Sequence, residues 1–568
     1  MLEHSNKWLP NRSAFLQPLL VFCVALLLAI VHGGIGGLQN DDLQISFMLS
    51  CGGEEPSCFS LYTNACLGYV IRSLSSVWPD INWYYCFLCA LSCAASLTIN
   101  FSVCERTFRS GIVSKTSVFL FLAYINYRGL ITIQYTYLGV YAACAAVLLV
   151  SRIIDHCFSV GRIGVSTLLL FAAYCLRSSV VLPATFLLIG ILLAEWESMR
   201  DGRTLRRLAT ALVIPLFLCG CAFVANKIEY QNSPEWNDAQ RFLQARVQIV
   251  DSQDNSGMDK ETALHHAGIS PESFFLFKKF LYVPEMDSLN AVESALTIHK
   301  TGRKGFLGSA ALADMGLLEF HISSFKPLTT LARALTPYTP LGFAVLLVLL
   351  FPGRKRMLKA AAVLFAVAGY LFVLSLTCRL PGRVLDPVLY ASAMYVMSLP
   401  EKSSLVRNRV WRISSAIFVS AMACLFCFRH LMEQDAQNKS AWAYCESKPD
   451  TLFFSCSMQW AWTTSSKVGA FSLHHLKHSN ILPLADGWVF YTPAYRAALK
   501  ARGVSCPYIR LTQPNAEIIV NRRYCSPTVL LDLQKMIFAQ TGQRISFIKA
   551  AEKGDFEFYA INDATSHK

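Results

Sequence analysis

The sequence predicts an α-helical polytopic membrane protein with about 11 transmembrane helices, followed by a C-terminal extracytoplasmic α+β domain. Of the 568 residues, 54% are hydrophobic and only 15% are charged, and the mean hydropathy is +0.39. Charged residues make up about a quarter of an ordinary soluble domain, and disordered chains have low hydrophobicity, so both classes are excluded. Long apolar runs precede a final segment of more polar composition, which predicts the two-part organisation.

Several apolar stretches approach or reach the length of about 20 residues that a bilayer-spanning helix needs. The first one follows a short polar start. It lacks an obvious small-residue cleavage site, so we interpret it as a retained helix and not as a signal peptide. The predicted spans are 16–35, 82–103, 117–124, 133–150, 165–177, 180–194, 208–225, 340–351, 357–377, 385–399 and 413–427.

The distribution of charge predicts the orientation of these spans, because cytoplasmic loops carry an excess of Lys and Arg. With the N-terminus in the cytoplasm, the predicted inner segments hold 19 basic and 7 acidic residues, whereas the outer segment 35–81 holds 1 basic and 5 acidic residues. We therefore predict a multi-pass protein of the cell membrane with a cytoplasmic N-terminus and an extracytoplasmic C-terminus. Topology and contact with the lipid bilayer explain the net charge of +14, and no nucleic-acid partner is needed.

Three sizeable segments are predicted outside the membrane: the loops 35–81 and 226–338, and the tail 430–568. The transmembrane domain with its two outer loops is accordingly predicted over 1–429. The tail contains many turn residues and short strand-like runs, which predict a small α+β domain of ordinary size.

The 20 cysteines do not predict a metal centre, because no paired CxxC motif or His/Cys cluster has the spacing of a zinc site. About half of them fall in apolar spans, where a thiol behaves as a small apolar group. Cys445, Cys456, Cys506 and Cys525 fall in the tail. An oxidising exterior would allow disulfides there, but the sequence does not give their connectivity.

Two adjacent carboxylates, Asp41 and Asp42, follow the first span directly. A carboxylate at this level can accept a proton from a hydroxyl group, or bind a divalent cation beside a phosphate. A solvated acidic loop is the structural alternative. The apolar spacing over 58–74 predicts an amphipathic helix in the membrane interface, and aromatic residues over 78–85 predict the interfacial start of the second span.

The order of first helix, acidic loop, interfacial helix and second helix resembles the start of GT-C-type membrane glycosyltransferases. Asn-Asp-Asp at 40–42, Asn-Ala-Cys-Leu-Gly at 64–68 and Pro-Asp-Ile-Asn-Trp-Tyr at 79–84 resemble a group of bacterial multi-pass proteins of the O-antigen glucosyl transferase type. The resemblance implies a GT-C-like transmembrane domain and a sugar transferase activity. It also implies that Asp41 or Asp42 serves as the catalytic base or as a metal ligand.

Arginines near the outer ends of spans are candidates for binding the phosphate of a lipid-linked donor, because a planar guanidinium matches phosphate oxygens. Arg379 and Arg383 are the first candidates, followed by Arg177 and Arg128. For each of them, a snorkelling arginine that anchors a helix end is the structural alternative. Arg246, in the large outer loop, is a further substrate-binding candidate, and a structural ion pair is its alternative.

We therefore expect a GT-C-type hexosyltransferase that moves a sugar from a polyprenyl-phosphate donor to a cell-envelope glycan on the outer face. No cofactor is required. A divalent cation is compatible with the site, but a monophosphate leaves without the help that a pyrophosphate needs. One alternative is a lipid or polysaccharide flippase, which predicts buried charges and internal repeats. Another is a glycan polymerase or ligase that uses a lipid pyrophosphate.

Overall fold

The structure is a computed structural model that describes residues 12–31, 34–36, 41–50, 57–107, 112–154, 159–251, 269–278, 283–286, 288–301, 354–376, 382–399, 440–456, 480–484, 489–522, 525 and 528–563. The first ten helices are α1 (Arg12–Val31), α2 (Asp42–Ser50), α3 (Ala65–Val77), α4 (Trp83–Thr107), α5 (Ile112–Ile131), α6 (Tyr135–Ile154), α7 (Val160–Leu176), α8 (Val181–Ala194), α9 (Trp196–Met199) and α10 (Gly202–Gln231). They are followed by α11 (Pro234–Asp251), α12 (Pro271–Lys278), α13 (Leu289–Thr301), α14 (Arg354–Leu376), α15 (Gly382–Ser398), α16 (Pro493–Ala501), α17 (Pro507–Leu511) and α18 (Val529–Thr541). The strands are β1 (Leu452–Ser455), β2 (Ile481–Pro483), β3 (Ala516–Asn521), β4 (Ile545–Lys553) and β5 (Phe556–Asp563).

Among the described residues, three helices are long and apolar enough to cross a membrane, namely α4, α6 and α10. Shorter apolar stretches lie on α1, α3, α5, α7, α8 and α14. Several of these helices expose large apolar side chains, for example Leu168, Phe217 and Phe365, which are 67%, 68% and 76% exposed. Exposed apolar surface on apolar helices is suited to contact with lipid and not with water. The chain is therefore a membrane protein.

Nine of the predicted spans fall on helices of the described part of the chain. The short predicted span 117–124 is part of the longer helix α5. The stretches 340–351 and 413–427 lie outside the described residues. The total of about 11 transmembrane helices therefore remains a prediction, whereas a helical membrane protein with a small C-terminal sheet is confirmed.

The chain divides into two compact units. The first unit comprises Met1–Gly36, Cys86–Val224 and Met315–Leu431, and the second comprises Gly37–Tyr85, Ala225–Asp314 and Met432–Lys568. The second unit therefore combines the first outer loop and most of the large outer loop with the tail. The predicted domain boundary between residues 429 and 430 stays a prediction.

Helix α6 is the centre of the first unit, and all of its side chains are buried. It packs against α7, α8 and α15. The small residues at 139, 142, 143, 145 and 146 allow its neighbours to approach closely, as is usual for helices packed within membranes. Gly190 has the same effect between α8 and α14, because a Cβ atom there would lie 2.9 Å from the Cβ of Ala366.

A buried polar network connects four helices of the first unit. Asn126 Nδ2 donates to Asn100 Oδ1 at 2.7 Å, and Asn100 Nδ2 donates to the carbonyl oxygen of Pro18 at 3.1 Å. The Tyr141 hydroxyl lies 3.3 Å from Asn126 Oδ1 and 3.2 Å from the Ser96 hydroxyl. Hydrogen bonds between membrane helices contribute roughly 0.6–2 kcal/mol each, so this network fixes the register of α1, α4, α5 and α6.

The tail forms a five-stranded sheet in the order β2-β1-β3-β5-β4. Strand β1 is parallel to β2 and β3, whereas β5 is antiparallel to β3 and β4. Strand β3 is entirely buried. Thr492 caps the start of α16, and Gly542, with φ of 71°, ends α18 in the left-handed conformation that favours glycine.

Candidate functional site

The two adjacent aspartates of the second unit lie in different environments. Asp42 is the first residue of α2 and is fully buried, and its Oδ1 accepts a hydrogen bond from the Tyr84 hydroxyl at 2.8 Å. Asp41 precedes the helix and is partly exposed, and its carbonyl oxygen accepts a bond from Ile45 N at 2.9 Å. Successive residues point about 100° apart around a helix axis. The helix start therefore turns one carboxylate inward and leaves the other accessible.

Polar groups pack beside α2. The Ser46 hydroxyl donates to Asn82 Oδ1 at 2.9 Å, and the same oxygen accepts from Tyr85 N at 3.1 Å. Gln44 Oε1 and Asn82 Nδ2 are buried and have no hydrogen-bond partner among the described residues. A buried polar group without a hydrogen-bond partner lowers the stability of the protein by about 1–3 kcal/mol. A polar ligand could form the missing hydrogen bonds.

Helix α3 is the predicted interfacial helix, although it begins only at Ala65. Asn64 caps its N-terminus. Two further bonds attach the helix to the end of α10: Ala65 N donates to Asn226 Oδ1 at 2.8 Å, and the Tyr69 hydroxyl donates to Glu229 Oε2 at 2.7 Å. The first outer loop is thereby held by the segment that opens the large outer loop.

Gly68 allows α3 to pack against the loop before it, because a Cβ atom at this position would lie 1.9 Å from the carbonyl oxygen of Cys58. We expect Gly68→Ala to destabilise the protein by about 1–3 kcal/mol, since backbone must move to relieve the overlap. Thermal unfolding in detergent measures the change. Gly220→Ala is the matched control, because nothing lies within 4 Å of a Cβ there. Equal losses in both variants would contradict the packing role of Gly68.

Arg246 lies on α11 in the second unit. It is buried, and its guanidinium lies 5.3 Å from the centre of the Phe277 ring on α12. Phe277 is T-shaped against Phe242, whose ring lies 3.7 Å from that of Tyr491. These contacts give Arg246 a packing role as a cation over an aromatic ring, and its predicted contact with substrate stays a prediction.

Arg128, on α5 in the first unit, faces three phenols and a carboxylate. It interacts electrostatically with Tyr390, Tyr137, Tyr124 and Asp386, but no hydrogen bond joins it to Asp386 among the described contacts. Arg128 Nε and the Tyr137 hydroxyl are buried, and neither has a hydrogen-bond partner in the described part of the chain. Both groups are donors that an anion would satisfy.

Arg177 lies between α7 and α8, and among the described residues it bonds only to neutral groups. Its guanidinium donates to the hydroxyls of Tyr135 at 2.6 Å, Thr136 at 2.7 Å and Ser179 at 2.9 Å. These partners leave its positive charge uncompensated. Tyr135 and Thr136 begin α6, and the first turn of α6 also faces Arg128. The two arginines therefore lie at the same end of the first unit.

Arg383 is the second residue of α15 and is partly exposed, and Asp386 follows one helical turn later. Arg379 lies outside the described residues. Among the described residues, none of Arg128, Arg177 and Arg383 forms an ion pair with a carboxylate.

Ion pairs are found instead at the opposite end of the first unit. Glu105 pairs with Arg152, in the last turn of α6, at 3.4 Å. Glu195, at the end of α8, is buried, and it accepts hydrogen bonds from Lys359 at 2.5 Å and from the Tyr395 hydroxyl at 2.7 Å. One end of the unit therefore has compensated charges, and the other end has an excess of arginine.

Removing one partner of the buried pair of Glu195 and Lys359 tests how much this pair contributes to stability. We expect Lys359→Met to destabilise the protein by about 2–4 kcal/mol, because the Glu195 carboxylate, with 5% of its side chain exposed, loses its cation. Lys355→Met is the control, since Lys355 and Glu197 form a pair that is about four-fifths exposed and is worth less than about 1 kcal/mol. Chemical unfolding in detergent compares the two variants, and equal effects would contradict the burial argument.

The structure groups the predicted site residues by unit. Asp41 and Asp42 belong to the second unit, whereas Arg128, Arg177 and Arg383 share one end of the first. Within the described residues, no group of three or more His, Cys, Asp or Glu side chains is arranged to hold a metal ion.

No family model matches the chain, and no curated protein matches it. Two solved structures are similar to it: ArnT from Cupriavidus metallidurans in the apo state, and the same protein bound to undecaprenyl phosphate. Each is 14% identical with a TM-score of 0.39. The first match covers 97% of this chain and 99% of ArnT, and the second covers 96% and 98%. A similarity at this level assigns neither a fold nor an activity to this chain.

Sequence reasoning missed two members of the arginine-rich end, Asp386 and Tyr137. Asp386 lies inside the predicted span 385–399, directly before a proline and three residues after Arg383. An ionisable residue within an apolar span indicates a functional site by default. The Asp386 carboxylate could therefore have been identified from the sequence. The phenol of Tyr137 has no comparable signal, because only the packing of α5 against α6 and α15 reveals its surroundings.

Proposed function

We propose that this protein is a GT-C-type membrane glycosyltransferase that moves a sugar from a polyprenyl-phosphate donor to a cell-envelope glycan on the outer face. The observation that carries the proposal is the arginine-rich end of the first unit, where Arg128, Arg177 and Arg383 lack carboxylate ion-pair partners among the described residues. A cationic end on a lipid-facing helical unit is suited to a ligand with an apolar tail and an anionic head. A polyprenyl phosphate has this composition.

The proposed orientation agrees with the charge distribution. With a cytoplasmic N-terminus, α5 and α7 run outward and α15 runs inward, so Arg128, Arg177 and Arg383 lie at the outer end. Arg152 and Lys359 lie at the inner end, where basic residues are expected. The arginine excess at the outer end runs against this rule, which favours a functional reason for it.

We assign the role of base to Asp41 and a positioning role to Asp42. A base must reach the hydroxyl whose proton it accepts. Asp41 is partly exposed, whereas Asp42 is fully buried and is held by the Tyr84 hydroxyl. Asp42 therefore fixes the start of α2, and with it the carboxylate of Asp41.

The proposed reaction is a single displacement at the anomeric carbon. The acceptor oxygen forms the new glycosidic bond, its proton passes to the Asp41 carboxylate, and the bond to the phosphate oxygen breaks with inversion. Negative charge grows on the departing phosphate, and arginines at the outer end stabilise it in the transition state. A monophosphate donor needs no metal for this departure, so a divalent cation stays optional.

Carrier consumption tests the proposal. Purified protein in lipid nanodiscs, supplied with a polyprenyl-monophosphate hexose and envelope glycan, should release polyprenyl phosphate and label the glycan. Movement of the intact lipid-linked sugar across a bilayer without cleavage would instead indicate a flippase. Selective use of a polyprenyl-pyrophosphate saccharide would indicate a polymerase or ligase, and either result contradicts the proposal.

A further inference from the structure

Two cysteines of the tail meet at the ends of neighbouring strands. Cys456 follows β1 and Cys525 follows β3, and these strands are parallel, with Ser455 opposite Ile519. Cys456 N continues the ladder by donating to the carbonyl oxygen of Ile519 at 2.9 Å. Cys525 N donates to the carbonyl oxygen of Asn521 at 2.8 Å, which turns the chain back toward the end of β3.

The Cys525 sulfur lies beside the backbone of Cys456. Its Sγ is 3.2 Å from the Cys456 carbonyl oxygen. The Cys456 sulfur is carried, through Cβ, by the same Cα that carries this carbonyl group. Disulfides join residues whose Cα atoms are about 4.4–6.8 Å apart, and a sulfur 3.2 Å from the other cysteine's backbone carbonyl oxygen is compatible with such a separation. Both residues are thiols in the structure.

We propose that Cys456 and Cys525 form a disulfide bond that joins the end of β1 to the segment after β3. Pairing by closeness in sequence would instead join Cys445 to Cys456 and Cys506 to Cys525. The buried Cys445 thiol lies near the carboxylates of Glu517 and Glu446, whereas the Cys525 sulfur is the one that contacts Cys456.

Formation of the bond removes two electrons and two protons from the pair. A protein disulfide oxidant of the thiol oxidoreductase class accepts the electrons. The thiolate of one cysteine attacks the oxidant and forms a mixed disulfide, then the thiolate of the other attacks that cysteine's sulfur and releases the reduced oxidant.

The environment of the pair favours a structural bond over a reversible switch. Burial raises the pKa of the Cys525 thiol to about 11 and raises the pKa of the Cys456 thiol well above its ordinary value. Few thiolates are therefore present once the domain has folded, so the bond forms during folding. An oxidising compartment is required. The inference thus rests on the proposed extracytoplasmic position of the tail, but not on the sugar transfer activity.

Mass spectrometry of the full-length protein tests the bond. Membranes are prepared without reductant, and free thiols are alkylated in denaturant before digestion. A peptide pair that links Cys456 to Cys525 should appear and should disappear on reduction, while Cys445 and Cys506 are alkylated at the start. Alkylation of both Cys456 and Cys525 before reduction, or a link from either one to another cysteine, overturns the proposal.

Variants give a second readout. Cys456→Ser should make Cys525 available to alkylation without reduction, and Cys525→Ser should do the same for Cys456. Each single variant and the double variant should lose the same number of degrees in melting temperature, because each loses the same bond. Cys445→Ser is the control, since it alters a buried thiol of the same domain without releasing another. If the double variant loses as many degrees of melting temperature as the two single variants added together, the proposal is overturned. Sugar transfer is assayed separately, because the disulfide does not depend on that activity.

Discussion

Replacing Asp41 with asparagine is expected to lower the rate of sugar transfer by about 100- to 10,000-fold, the range that a positioned general base contributes. Asparagine keeps the size and hydrogen-bonding oxygen of the side chain but cannot accept the proton of the acceptor hydroxyl at neutral pH. Because Asp41 is partly exposed and precedes α2, membrane insertion and the unfolding temperature should remain unchanged. Turnover of a polyprenyl-monophosphate hexose by purified protein measures the effect.

Asp42 and Tyr84 supply the comparison. Asp42→Asn keeps an oxygen that can accept from the Tyr84 hydroxyl, so we expect a smaller loss of rate than for Asp41→Asn. Tyr84→Phe removes the donor and leaves a buried carboxylate without it, which should cost about 1–3 kcal/mol in stability. Asp80→Asn, in the exposed turn before α4, controls for loss of charge in the same loop. An inactive Asp42→Asn variant together with an active Asp41→Asn variant would make Asp42 the base and Asp41 the positioning residue. Activity in the double variant would exclude general-base catalysis by either aspartate.

The amino-acid sequence predicts the apolar helices well because hydropathy depends on local composition. Span 133–150 corresponds to α6 (Tyr135–Ile154) and span 357–377 to α14 (Arg354–Leu376), with ends that differ by a few residues. Helix ends depend on capping groups and on tertiary contacts, which a hydropathy window does not contain. Gln134, for example, starts α6 by accepting a bond from Tyr137 N at 2.7 Å.

The different environments of Asp41 and Asp42 could not be predicted in the same way. Two adjacent acids are equivalent in a linear sequence, and only the start of α2 between them, together with the distant Tyr84, distinguishes the buried one. Arg246 illustrates a second limit of prediction from the sequence. Its place in the large outer loop made it a substrate-binding candidate, which stays a prediction, whereas its contact with the Phe277 ring joins two helices and is indicated by no local pattern.

The second large effect is expected at Arg128. We expect Arg128→Gln to weaken binding of polyprenyl phosphate by about 10- to 150-fold, since a hydrogen bond to a charged group contributes about 1.5–3 kcal/mol. Arg128→Lys keeps the charge but not the planar fork, so its loss should be intermediate. Arg206→Gln, an exposed position on α10, is the control for net charge and should bind as the parent does. Binding is measured by titration of the lipid into protein in detergent.

The neighbours of Arg128 decide between a ligand site and a purely structural arginine. If Arg128 binds an anion, the Asp386 carboxylate competes with that anion, so Asp386→Asn should tighten polyprenyl phosphate binding. Tyr137→Phe removes a buried hydroxyl that has no partner among the described residues. It should therefore stabilise the ligand-free protein slightly while weakening the lipid complex. A structural arginine predicts no change of lipid affinity in either variant, because Asp386→Asn would then lower only stability, and Tyr137→Phe would leave lipid binding unchanged. A ligand site predicts that lipid affinity rises in Asp386→Asn and falls in Tyr137→Phe. These two variants are therefore more informative than Arg128→Gln, because both roles of the arginine predict a loss in that variant.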